Sequence, residues 1–198
     1  MTVRGAEQIP WLYDASMALL ERAGLGPWRR WLAEGARGLT LDLGCGTGRN
    51  LPLLPDDAPA VGLDPCRESL VRARRRAPAA LLVQARAEEL PFRSGTFDTV
   101  VSGLVLCSVT DPALALGEVR RVLAAGGVMR ALEHVRSPVR WKARMQDLTQ
   151  PAWTAISGGC HPNRETERSV ESAGLVIDPE SRRARDTMRR FEARPAEG

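Results

Sequence analysis

The run Thr40-Leu41-Asp42-Leu43-Gly44-Cys45-Gly46-Thr47-Gly48-Arg49-Asn50 limits what this chain can fold into more than any other stretch. An apolar strand, Leu39 to Leu43, feeds a turn with glycine at 44, 46 and 48. Alternate positions without side chains let the backbone bend tightly and come against a ligand. A second acid closes the next apolar run, Val61-Gly62-Leu63-Asp64. That is the usual distance for a carboxylate that takes ribose hydroxyls in a doubly wound α/β domain. A dinucleotide loop would carry glycine at 44, 46 and 49, but position 49 is Arg. Asp42, two residues before the first glycine, is placed to hold the loop and face a cationic ligand.

The rest of the chain reads as strands alternating with helices. Residues 7–36 give a broken apolar helical face, interrupted at Gly24-Leu25-Gly26-Pro27. Gly48 to Leu54 is expected to open a short helix limited by Pro52 and Pro55. Ala60–Asp64 reads as a second strand, and Pro65 starts a helix running to about Arg76. Ala80–Gln84, Phe97–Ser102 and Val128–Glu133 supply further strands. Asp111-Pro112 caps a helix that Gly126-Gly127 is expected to end. Residues 137–160 space Trp141, Met145, Leu148, Trp153 and Ile156 like a helix, and Arg164–Ala173 follows as another. Leu175–Asp178 and Met188–Ala193 read as the last two strands, with a frayed tail from Arg194. The expected architecture is a doubly wound α/β fold: a mostly parallel seven-stranded sheet with helices on both faces. It is read as one domain, residues 1–198, with a helical cap at 1–36 and a candidate substrate-covering insertion at 137–162.

Composition excludes several classes. A chain of 198 residues, 43% hydrophobic and 26% charged, can bury a proper core. No window has the apolar length of a membrane span, and the start lacks a signal peptide's layout. The reading is cytoplasmic, without integral membrane association. The net charge of +4 rests on arginine, Lys142 being the only lysine. The arginines are spread along the chain without aromatic interleaving, which argues against a nucleic-acid partner. Cys45, Cys66, Cys107 and Cys160 form no C-x-x-C pair, and there are two histidines, so no metal site is expected. The bland reading of the four cysteines is free, buried thiols. Oligomeric state is not legible.

Residues 41–48, Asp64, the Ala87-Glu88 loop and Phe97-Asp98 together resemble a class I S-adenosylmethionine-dependent methyltransferase of the methyltransferase-11 type. Leu104-Val105-Leu106-Cys107-Ser108-Val109, Glu118-Val119-Arg120-Arg121-Val122-Leu123 and Glu133-His134-Val135 sharpen the match. Pro151-Ala152-Trp153, Gly159-Cys160-His161 and Asn163-Arg164-Glu165-Thr166 follow. This series is similar to the methyltransferase-like 7 family, the alkyl thiol S-methyltransferases of animals, and to its bacterial relatives, over about residues 39–175. The animal proteins carry an N-terminal membrane anchor. Here the amphipathic Ile9–Leu20 segment stands at the start, so membrane attachment is not carried over.

The resemblance implies S-adenosylmethionine as cofactor. Gly44, Cys45, Gly46 and Gly48 would lie along its methionine part, with Asp42 supplying negative charge nearby. Asp64, followed by Pro65, would take the ribose, and Ala87 with Glu88 the adenine. Ser102 and Leu104 would floor the pocket at the switch point, and Tyr13 would close it from the N-terminal helix. Each has a plainer alternative: a loop cap for Asp42, a helix cap for Asp64, a solvated rim for Glu88. His134 and His161 are the candidate bases, an imidazole titrating near working pH; both could instead be structural. Cys107 and Cys160 read as packing residues. The implied partner is a small-molecule methyl acceptor, foremost a thiol, which needs little beyond positioning once ionised. Oxygen, nitrogen or carbon acceptors and a cofactor-binding regulator without catalysis stay open.

Overall fold

The computed structural model describes Gly5 and residues 9–196. Five parallel strands form the centre: β1 (Thr40–Leu43), β2 (Ala60–Leu63), β3 (Leu81–Val83), β4 (Phe97–Gly103) and β5 (Leu123–His134). Three more complete the sheet: β6 (Leu175–Ile177), β7 (Arg183–Arg185) and β8 (Met188–Pro195). The order is β3-β2-β1-β4-β5-β8-β6, with β8 antiparallel to β5 and β6, and β7 paired to β8. The chain moves outward from β1 to β3, then crosses back to lay β4 on the other side of β1. That reversal opens a crevice beyond the carboxyl ends of β1 and β4, the usual ligand position in such a sheet.

Both faces are covered because the central strands are apolar at successive positions. Alternation sends Val100 and Ala131 to one face and Val101 and Leu132 to the other. The first face packs Ala115, Leu116, Val119 and Val122 of α4 (Pro112–Val122) and Val170 of α6 (Thr166–Ser172). The second packs Leu32 and Ala33 of α2 (Gly26–Glu34) and Ala73 of α3 (Arg67–Arg76). Burying such a side chain contributes about 1.5–3 kcal/mol, so each layer is held by its apolar stripe. The Asp111 carboxylate accepts the Ala113 and Leu114 N–H groups and fixes where α4 begins. Ahead of these, α1 (Pro10–Leu20) joins α2 through a π-type turn, with Gly24 at φ 120° making the break expected there. Positions 1–4 and 6–8 of the expected cap lie outside the described residues.

Several expectations need correction. Between Gly48 and Leu54 there is only a single 3-10 turn, Leu51–Leu53. Pro55 forces Leu54 to an extended ψ of 147°, which stops any longer helix. The glycine pair 126–127 does not end α4. The helix stops at Val122, and the glycines form an irregular stretch within β5, where pairing jumps from Phe97–Leu123 to Thr99–Val128. An eighth strand, β7, makes a hairpin with β8. Its three residues are exposed arginines and alanine, which carry no apolar alternation. The end is not frayed as far as Ala196: Arg194 and Pro195 belong to β8, and Ala196 N–H donates to Gly174 O. Residues 197–198 lie outside the described residues.

The 137–162 segment holds α5 (Arg140–Ser157), stopped by Gly158 at φ 98°. Trp141, Met145, Leu148 and Ile156 are exposed, while Ala143 and Ser157 face inward. Of the five apolar residues spaced along it, Trp153 reaches the cavity described next. No described helix is long and apolar enough to cross a membrane.

Candidate active site

The loop after β1 turns through Gly44, Gly46 and Gly48, all at positive φ (58°, 54° and 78°). At Gly48 a side chain would also strike Ala73 of α3, 2.9 Å from an ideal Cβ, so loop and helix touch directly there. Asp64, at the end of β2, ties the loop down. Its Oδ2 accepts the Gly46 N–H at 2.9 Å and its Oδ1 the Cys66 N–H at 2.8 Å. Burial raises its pKa in spite of these bonds. Each oxygen keeps a further lone pair, so the carboxylate can still accept hydroxyl donors. The Cys45 side chain is buried under the loop, where burial pushes its thiol up. Pro65 accepts from Gln84 through its carbonyl.

Asp42 is fully buried beneath this loop. Its Oδ1 accepts from Asn50 Nδ2 at 2.8 Å, and Asn50 Oδ1 in turn accepts from Arg29 of α2 at 2.6 Å. Burial outweighs the Asn50 bond and the Arg29 charge and lifts Asp42 to about 7. Its Oδ2 has no partner among the described residues.

A charged lattice holds α1 over the same loop. Asp14 accepts from Thr47 Oγ1 at 2.6 Å and pairs with Arg49, Arg72 and Arg76. Glu21 pairs with Arg29 and Arg49. Burial pushes both carboxylates up, but these partners outweigh it and hold them below their ordinary values. Arg49, the residue that departs from the dinucleotide pattern, is thus the clasp between loop and cap. Tyr13 is drawn over the glycines, with Cε1 3.9 Å from where a Cβ of Gly46 would be.

Under the second side of the crevice lies Glu133, fully buried. It accepts from Ser102 Oγ at 2.7 Å, Val105 N–H at 3.3 Å and Leu106 N–H at 3.1 Å. Burial exceeds the effect of these donors and lifts it to about 7. The bonds fix the turn after β4, where Leu104 holds a left-handed φ of 63°.

That turn opens on a cavity of about 470 Å³. Tyr13, Met17 and Leu20 of α1 and Trp28 of α2 line one wall; Leu104, Cys107, His134, Trp153, Cys160 and Met188 line another, and Arg185, Asp186 and Thr187 add polar groups. A predominantly apolar cleft with one or two polar groups is the usual form of a small-molecule site.

The structure therefore gathers Tyr13, Gly44, Cys45, Gly46, Gly48, Asp64 and Pro65 around the first loop. It sets Leu104 and His134 at the cavity, with Asp42 and Ser102 as buried supports. The remaining candidates make contacts of their own. Ala87 packs into the core. Glu88 accepts the Thr110 and Asp111 N–H groups, which outweigh its burial and hold it below the ordinary range. His161 is not among the cavity-lining residues; its Nδ1 sits 2.7 Å from Gly159 O, and its N–H donates to Cys107 O. Sequence reading passed over Asp14, Glu21, Asn50 and Glu133 as site supports. Only Glu133 gave a signal, an acid inside an apolar strand.

Residues 41–131 match the family described as methyltransferase domain. An uncharacterized methyltransferase of Synechocystis sp. is 35% identical over 187 residues, covering 86% of this chain and 84% of the relative. The chain belongs to the S-adenosylmethionine-dependent methyltransferases. Human thiol S-methyltransferase TMT1B is 37% identical over 141 residues, which is 67% of this chain. The aligned part spans 58% of that relative's own length. A solved S-adenosylmethionine-dependent methyltransferase from Thermotoga maritima superposes with a TM-score of 0.71 at 18% identity, covering 95% and 96% of the two chains, and shows the shared fold. The family's cofactor fits what this chain offers. The open space at Gly46, where a Cβ would meet nothing nearer than 3.9 Å, leaves room for it, Asp64 has spare acceptor capacity, and the orphaned Asp42 oxygen suits a cationic neighbour. When bound, S-adenosylmethionine supplies an electrophilic methyl group.

Proposed function

We propose that this protein transfers a methyl group to a small thiol. The observation that carries the reading is the mostly apolar cavity beside the glycine loop, with the His134 imidazole in its wall. Its volume suits a small acceptor, and its lining is mostly apolar, with Arg185 and Asp186 as its charged residues. In this reading Asp64 takes the ribose and the glycine loop the methionine part. Tyr13 covers the cofactor from α1, and Leu104 separates it from the acceptor. Asp42 contributes charge from below the loop, and Ala87 and Glu88 border the adenine. Displacement at carbon needs alignment above all, so confinement of the acceptor supplies much of the rate. A thiol ionises near pH 8.5 and is a strong nucleophile once it does. His134 would take its proton. The homologous thiol S-methyltransferase supports sulfur over oxygen, nitrogen or carbon acceptors.

Incubation with S-adenosylmethionine and a panel of alkyl and aryl thiols, alcohols, phenols and amines tests this, with S-adenosylhomocysteine followed by mass spectrometry. Release that depends on a thiol is the expected result. Turnover restricted to phenols or amines, or none with any thiol, would overturn the assignment of sulfur.

A further inference from the structure

Cys107 and Cys160 come from distant parts of the chain and meet in the cavity wall. The His161 N–H donates to Cys107 O at 2.7 Å, so the backbones carrying the two thiols run side by side. The Cys107 thiol lies 3.7 Å from Leu104 O and 3.5 Å from Ser108 Oγ, and the two thiols are near enough to shift one another's ionisation, with His134 and Trp153 also acting on Cys160. Both thiols are free and buried, yet both line the cavity, so a reagent would meet them through the acceptor's space. Cys45 and Cys66 do not line it.

We propose that Cys107 and Cys160 form a redox-active dithiol that small-molecule disulfides oxidise within the cavity. The choice of oxidant rests on the thiol-acceptor reading, since a space that admits a small thiol meets its disulfide too. The Cys160 thiolate attacks one sulfur of the disulfide. The S–S bond breaks, a mixed disulfide forms on Cys160, and one small thiolate leaves and takes up a proton. Cys107, giving its proton to the medium, then attacks the Cys160 sulfur and expels the second small thiolate. Two electrons pass from the cysteine pair to the small disulfide, yielding two small thiols and one Cys107–Cys160 bond.

The surroundings divide the two roles. The neighbouring Cys107 thiol is the largest influence holding Cys160 well below an ordinary thiol, with His134 and Trp153 adding to it. The Cys160 thiol in turn, with burial and the nearby Glu133 charge, holds Cys107 well above one. Cys160 is therefore the attacking thiolate and Cys107 the resolving thiol. Closing the bond ties the turn after β4 to the segment after α5 and removes the Cys160 thiolate from His134. Methyl transfer is lost while the cofactor loop, which holds neither cysteine, is untouched.

The experiment treats the full chain with bis(2-hydroxyethyl) disulfide, followed by intact-mass analysis and peptide mapping. The expected product has lost about 2 Da with Cys107 linked to Cys160, and a phosphine reductant restores the original mass. Cys107→Ser is expected to stop at a mixed disulfide on Cys160, and Cys160→Ser to give no adduct in the cavity. In the wild type, methyl transfer should fall at least tenfold on oxidation and recover on reduction, with S-adenosylmethionine affinity unchanged. Four thiols still titratable, or adducts confined to Cys45 and Cys66, would overturn the proposal. If the link forms but no thiol is ever methylated, the dithiol stands and only the acceptor reading fails.

Discussion

Replacing Asp42 by Asn isolates one buried charge and its pH dependence. The carboxyl releases its proton near 3.8 when unperturbed but keeps it to about 7 in the folded chain, because burial disfavours the anion. Between those values folding takes up a proton, so this group's contribution falls as pH rises through the window and is level above pH 7. About three pH units, at about 1.36 kcal/mol each, amount to roughly 4 kcal/mol. About two of those units lie above pH 5, leaving about 3 kcal/mol to be read between pH 5 and 8. Asn has the same shape and can still accept from Asn50, but it does not titrate. Its amide faces the side where Oδ2 has no partner among the described residues, a cost of about 1–3 kcal/mol that does not vary with pH. The variant should therefore be less stable than wild type near pH 5 and gain on it by about 3 kcal/mol by pH 8. Urea unfolding of both proteins at half-unit pH steps measures the difference directly. A difference that stays constant within about 1 kcal/mol across that range would refute the argument that Asp42 is buried as an acid, since the buried acid predicts a change about three times as large.

Other consequences are open to simple tests. Asp64→Ala should abolish S-adenosylmethionine binding by calorimetry while circular dichroism stays native; retained affinity would remove Asp64 from the cofactor site. Glu133→Ala leaves the Ser102 hydroxyl and the Val105 and Leu106 N–H groups without their acceptor, a loss on the order of 3–5 kcal/mol in denaturant unfolding. Asp14→Ala removes the acceptor shared by Thr47 and three arginines. It should weaken cofactor affinity about tenfold, more than it lowers Tm; the same weakening in wild type at high salt would mark the lattice as electrostatic.

Much of the fold was written in local pattern. Strand centres showed as apolar runs because both sheet faces are buried, and α3 and α4 announced their starts with Pro65 and Asp111-Pro112. The missed pieces lack that signature. Nothing apolar marks Arg183–Arg185 as a strand, since β7 exists only because β8 offers it an edge. The 3-10 turn and the glycine stretch of β5 depend on neighbours that a window along the chain does not contain.

The site divides in the same way. Glycines at alternate positions and an acid ending the next strand were enough to name a nucleoside-type cofactor, because their chemistry is local: backbone approach and a fixed strand-to-strand distance. The rest was decided only when distant segments met. Asp14 becomes a clasp because four donors from the glycine loop and α3 converge on it. Glu133 becomes a support because the end of β4 and the turn after it point three donors into it. Cys107 and Cys160, ordinary thiols when read singly, share a cavity wall because one backbone hydrogen bond joins the segments that carry them. Residue type fixes what a group can do, but burial and partners fix which form it takes, and those arise only when the chain closes on itself.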